Sequence, residues 1–158
     1  IDTLNEILFT VNSEAVNQKK AFVAPTPATR RTSFFGDRRV YSYVGGGSST
    51  SLHYGIDYGI PTGSEVTSCG DGRVVMAEER ISSGLSVVIE HMPGLYSLYY
   101  HLDSFEVKVG DMVKAGDKVG LSGSTGLATG PHLHWEVRLN GEAVNPDFFT
   151  EKNFLYFQ

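Results

Sequence analysis

From residue 64 onward the chain is a succession of short β-prone runs cut by glycine-bearing turns. "EVTSC", "GRVVMAEE", "LSVVIEH", "LYSLYYHL", "FEVKV", "DMVK", "DKVGLSG" and "HLHWEVRLN" follow in close order. Evenly spaced short strands with turn residues between them argue an antiparallel barrel or sandwich. Helical periodicity is nearly absent, and "NPDFF" (145–149) suits at most one closing turn. The expectation is a mostly β fold with little helix. The 18 glycines and 8 tyrosines fit it, supplying turns and strand side chains respectively.

The first thirty residues read differently. "DTLNEILFTV" offers a capping box in Thr3 and Glu6, yet Phe9, Thr10 and Val11 serve equally in a strand. "APTPATRR" is a proline-rich extended connector. Residues 1–30 are therefore expected to be an arm or the remnant of an upstream region, and 31–150 the functional domain. The tail, 151–158, carries "NFLYFQ", which resembles a protease-tag remnant and contributes nothing to the reading. "GGGSSTS" (45–51) is expected to be a flexible loop.

At 158 residues, 41% hydrophobic and 20% charged, the chain suits one domain with a real core. A formal charge of −5 gives no basic footprint for nucleic acid. No apolar run approaches the roughly 20 residues that span a bilayer. No signal peptide is visible, so export is not legible from these residues. Nor does any feature speak to oligomeric state. Cys69, the single cysteine, excludes an intramolecular disulfide and leaves the redox compartment open.

Four of the five histidines fall in three clusters: His53 with Asp57 in "HYGID", His101 in "YYHLD", and His132 with His134 in "GPHLHWEV". On a strand, His132, His134 and Glu136 share one face, and Leu133, Trp135 and Val137 the other, which reads as core. His53 and Asp57 would stand about 13 Å apart in a flat strand, too far to share a metal bonded at roughly 2 Å. Gly55 between them is expected to bend the backbone and bring both inward. Catalytic zinc takes three protein ligands and keeps a fourth position for water. His53, Asp57 and one histidine of "HLH" supply three. The other histidine and His101 are left to move protons or hold developing negative charge. Spacing alone does not choose between His132 and His134 as the ligand.

Taken together, "SFFGDRR", "LHYGIDYGIPTGSEV", "GDGRVV" and the long stretch from "YSLYYHLD" through "GPHLHWEVRLNGEAVNP" resemble the lysostaphin/LytM-like zinc peptidases, in order and spacing from about residue 33 to 147. The resemblance implies an antiparallel β-sheet or barrel-sandwich hybrid with a groove over the central sheet. It implies zinc as cofactor, held by His53, Asp57 and His134, with His132 and His101 as the catalytic pair. The implied activity is endopeptidase cleavage of bacterial peptidoglycan in the periplasm or cell envelope.

Around that centre, Glu136 is expected at the margin, bonded to a histidine, with a neighbouring backbone or an arginine as the alternative partner. Tyr54, Tyr99 and Tyr100 are candidates either for a groove wall or for the core. The run Arg38–Arg39 reads as a solvated face, with the alternative that Arg38, which matches the family's F-G-x-R element, holds the entry loop by an ion pair. His91 and Cys69 read as packed residues, and Lys114 as solvated. Glu14 and Asn17 of the arm are weak candidates for a latch over the metal. Two rival functions remain: a non-catalytic relative that regulates other hydrolases, and a carrier. "VKVGDMVKAGDKVG" also resembles the hairpin meander of biotinyl, lipoyl and sugar-phosphocarrier domains, although no modifiable lysine tripeptide is present and a phosphocarrier has no evident need for Asp57.

Overall fold

The computed structural model describes residues 3–150; Ile1, Asp2 and the tail 151–158 lie outside that description. The chain opens with helix α1 (Thr3–Leu8). Strands β1 (Arg31–Ser33), β2 (Arg38–Ser42), β3 (Ser48–Leu52), β4 (Gly55–Tyr58) and β5 (Glu65–Thr67) follow. Then come the long strands β6 (Gly72–Arg80), β7 (Gly84–Met92) and β8 (Leu95–Phe105). Strands β9 (Met112–Val113), β10 (Lys118–Ser122), β11 (Leu133–Leu139) and β12 (Glu142–Val144) complete the set before a 3-10 turn at Pro146–Thr150.

Ten strands form one open antiparallel sheet along the path β1-β4-β11-β8-β7-β6-β9, with β10 bridging β5 and β8 and β12 beside β11. β2 and β3 make a separate two-stranded hairpin. The mostly β, antiparallel expectation holds, and the sheet does not close into a barrel.

Alternation on β11 sets the two faces. Leu133, Trp135 and Val137 are fully buried in the main core with Ile56, Tyr99 and Val119. Each such side chain contributes about 1.5–3 kcal/mol by leaving water. His134, Glu136 and Arg138 project from the opposite face. On that same face Tyr100, Leu98 and Tyr96 of β8 lie directly across from them. Leu4 and Leu8 of α1 pack there against Met76, Val88, Tyr96 and Leu98. The first residues therefore form a helix seated on the sheet, because Leu4 and Leu8, one turn apart, meet an apolar patch.

Three local expectations change. Gly45–Gly47, all at positive φ, turn a hairpin, but Ser48–Leu52 is a strand paired with β2 from Arg38↔Leu52 to Ser42↔Ser48. The partner ladder of "RRVYS" overrides the loop composition of the serines. "FEVKV" yields only Phe105 to β8. The Asp111 carboxylate takes the Lys108 backbone N–H at 3.0 Å and makes a turn there instead. "DMVK" contracts to Met112–Val113 for the same reason, its neighbours being used in turns.

Candidate metal centre

The site grows from one rung of the sheet. His134 is flanked directly by Asp57 on β4 and by Tyr100 on β8. Its Nδ1 lies 2.9 Å from Asp57 Oδ1, and its ring stacks on Tyr100 with centroids 5.1 Å apart and planes 9° from parallel. His53 precedes β4, and its Nε2 lies 3.1 Å from the same Asp57 oxygen. The flat-strand separation therefore never arises. Gly55 supplies room rather than an unusual φ: a Cβ there would stand 2.3 Å from the Trp135 carbonyl oxygen and 2.9 Å from the His134 ring.

Backbone carbonyls fix three of the four imidazoles. His53 Nδ1–H donates to the Phe34 carbonyl at 2.9 Å, His101 Nδ1–H to Thr125 at 2.8 Å, and His132 Nδ1–H to Gly130 at 2.9 Å. A carbonyl only accepts, so each neutral ring keeps its Nε2 lone pair free. His134 is held the other way round: Nε2–H donates to Glu136 Oε1 at 2.9 Å, so Nδ1 faces Asp57 and bonds it when that nitrogen also carries a proton. Glu136 Oε2 in turn accepts from Arg138 Nε. Burial by itself would lower the His134 pKa, but its bonds to Asp57 and Glu136 push it up to about 9. Burial likewise opposes the charge on Asp57, yet His134 and His53 hold its carboxyl well below the usual range.

His101 reaches this face through a bulge. Strand β7 pairs Val87 with Tyr99 and Leu85 with Leu102, so β8 spends one extra residue between the two rungs. His101 takes φ 62° there. The side chain escapes the core face that strict alternation would give it and lies with its ring centroid 4.7 Å from that of His132. A cavity of about 420 Å³ is lined by His53, Asp57, His101, His132 and His134, together with the loop 127–131 and Arg39.

The structure thus brings together all five residues singled out in the sequence, with Glu136 bonded both to a histidine and to an arginine. The expected ion pair falls one residue later than Arg38. Arg39 Nη2 lies 3.3 Å from Asp57 Oδ2, while Arg38, on the other face of β2, is exposed. Tyr100 lines the groove and Tyr54 stands exposed under Arg138, but Tyr99 is fully buried and bonds the Cys69 N–H. His91 is buried between the Asp71 carbonyl and Ser97, beside buried Cys69. Asn17 binds the His91 and Glu90 carbonyls rather than the centre, and the Glu14 backbone bonds Asn12; neither lines the cavity. Alternation could have put Tyr100 on the His134 face only with the β8–β11 register in hand.

The donor set fits a metal ion. His53, Asp57 and His134 each offer one ligand atom, all within 4.8 Å of one another. A tetrahedral ion bonded at roughly 2 Å spaces its ligands roughly 3.3 Å apart, close to the 3.1 and 2.9 Å separations around Asp57 Oδ1. Two imidazoles, each oriented by a further hydrogen bond, and a carboxylate are a catalytic-zinc type of set.

This fold and centre define a class: residues 51–146 match the model of peptidase family M23, and the chain belongs to that family. Among curated relatives it is 38% identical over 136 residues to the DD-carboxypeptidase/endopeptidase Mpg of Neisseria meningitidis, covering 85% of this chain and 30% of that protein. A zinc-containing peptidase from Vibrio cholerae superposes with a TM-score of 0.72 at 34% identity, over 85% of this chain and 41% of that one. The catalytic domain of lysostaphin from Staphylococcus simulans gives 0.66 at 32% identity, over 77% and 91%. The lysostaphin/LytM-like resemblance is thereby shown. The chain spans less than a third of the length of the curated relative, and no helix among the described residues is long and apolar enough to cross a membrane.

Proposed function

We propose that the protein is a zinc-dependent endopeptidase that hydrolyses peptide bonds in the crosslinks or stem peptides of bacterial peptidoglycan, acting outside the cytoplasm. The observation that carries this reading is the convergence of His53, Asp57 and His134 on one point with two further imidazoles in the same cavity. The names of the relatives, one a DD-carboxypeptidase/endopeptidase and one a zinc-containing peptidase, support it.

His53 Nε2, Asp57 Oδ1 and His134 Nδ1 would hold the ion, and zinc bound there would lower the pKa of a water and polarise the scissile carbonyl. His132, its Nδ1–H fixed on Gly130, presents a bare Nε2 that takes the proton from the attacking water. His101, fixed on Thr125, meets the negative charge developing on the carbonyl oxygen when it carries a proton on Nε2. The two rings are clamped alike, so exchange of these roles is the second reading. Tyr100, parallel to His134, limits rotation of that ring and keeps Nδ1 aimed at the ion.

The test is a digest of purified peptidoglycan with and without a chelator, read by mass spectrometry. New amino termini that vanish with chelator and return with added zinc are expected. Absence of products from protein carrying stoichiometric zinc would overturn the hydrolytic reading for this substrate. Absence of both products and zinc would favour the regulatory alternative.

A further inference from the structure

One charged group in the cavity has no part in the chemistry just assigned. Among the described residues Arg39 is the only lysine or arginine lining it. The Nη2 atom donates to Ser33 Oγ at 3.1 Å and to Asp57 Oδ2 at 3.3 Å. Among the described residues these are its hydrogen bonds, so the N–H groups of Nη1 and Nε remain for a ligand. Asp57 does not neutralise it, since that single carboxylate already serves His53 and His134. The Arg39 side chain is 48% exposed, and an ion pair so open to solvent holds its partner weakly.

The chain as a whole carries a charge of −5, so this cation is a local feature and not part of a basic surface. It bonds Asp57 Oδ2, while Oδ1 of the same carboxylate faces His53 and His134. A guanidinium fork matches a carboxylate with two parallel N–H···O bonds. Resting on the peptidase reading above, we infer that Arg39 is a specificity-determining residue that binds a carboxylate of the substrate peptide next to the scissile bond. That carboxylate is either a side-chain group or a terminal α-carboxylate; the recognition chemistry is the same.

The experiment uses a synthetic crosslinked peptide containing a D-Ala–diaminopimelate bond, in three forms: unmodified, amidated at the side-chain carboxylate beside that bond, and amidated at the chain terminus. Binding by calorimetry and hydrolysis are measured for the wild-type protein, Arg39→Gln and Arg39→Lys, with zinc content determined for each. A charge-assisted pair contributes on the order of ten-fold in affinity. One amidation is expected to weaken wild-type binding and raise KM by about that factor, and the amide that does so identifies the group. Arg39→Gln should bind all three forms alike, with zinc unchanged, and Arg39→Lys should recover part of the preference.

Equal binding of the three forms by wild-type protein would overturn the inference. So would loss of zinc and of kcat in Arg39→Gln with the carboxylate preference intact, which would make Arg39 a support for Asp57 alone. Discrimination in binding without any hydrolysis would uphold the carboxylate contact while the peptidase reading failed.

Discussion

Glu136 and His134 lie two residues apart on one face of β11, and the carboxylate takes the His134 Nε2–H at 2.9 Å. The contact decides which nitrogen of His134 is left for a metal, because a ring that donates from Nε2 offers Nδ1. Glu136→Gln keeps the shape and an acceptor oxygen but removes the charge that faces both His134 and Arg138. Zinc affinity should fall about 10- to 100-fold, as measured by competition with a chromophoric chelator. An unchanged affinity would reduce Glu136 to a partner of Arg138.

His134→Ala and His132→Ala should separate holding the metal from using it. The first removes one of three donor atoms and should leave the purified protein with little zinc. The second should retain stoichiometric zinc and lose about a hundred-fold or more in kcat/KM. Normal turnover by His132→Ala would show that its imidazole takes no proton.

His101 sits at φ 62°, where an L side chain is strained and glycine is not. His101→Gly should therefore be more stable to urea than His101→Ala, by about 1 kcal/mol, the reverse of the order in an ordinary strand. Both variants should lose turnover. If alanine proved the more stable of the two, the strain assigned to the bulge would be absent.

Gly55→Ala tests the close approach of β4 to the His134 ring. Its Cβ would meet backbone as well as that ring, so the sheet must shift; overpacking of this kind costs about 1–3 kcal/mol. Thermal denaturation should show the loss, and zinc affinity should fall with it. Wild-type values for both would mean that the β4–β11 rung yields without cost.

His91 makes stability depend on pH away from the centre. Burial pushes its pKa down to about 4, against partial support from the Asp71 carbonyl. The folded state thus resists protonation that the unfolded chain accepts from about pH 6.5. The contribution is fully present above pH 6.5, is lost as pH falls towards 4, and changes no further below that. Its full size is on the order of 3 kcal/mol. His91→Gln should flatten the stability profile between pH 6.5 and 4 relative to wild type, with chelator present in both. Parallel profiles would show that His91 stays neutral in both states.

Much of this arrangement was legible because β11 repeats with a period of two: Leu133, Trp135 and Val137 go inward, so His134 and Glu136 must share the other face. Asp57 and His53 were legible as chemistry, but their distances depend on the rung that pairs His134 with Asp57, which is a non-local property. His101 was legible only by its company, since the bulge that turns it outward has no mark in "YYHLD". Arg39 was passed over because Arg38 fits the F-G-x-R element, and an exposed hairpin carries no apolar alternation by which to set the phase otherwise. The same weakness hid β3, whose serines pair only because β2 lies beside them.

β11 lies inside the sheet, held on one side by β4 and on the other by β8, whereas the walls of the cavity come from the loop 127–131 and from the detached hairpin β2–β3. His134 and Asp57 are thus mounted on the part of the molecule least able to deform, and the surfaces that meet a substrate on parts with few obligations to the core. Exchange of those walls, by insertion or by grafting from a relative, is a route to new substrate preference that leaves the reactive geometry standing.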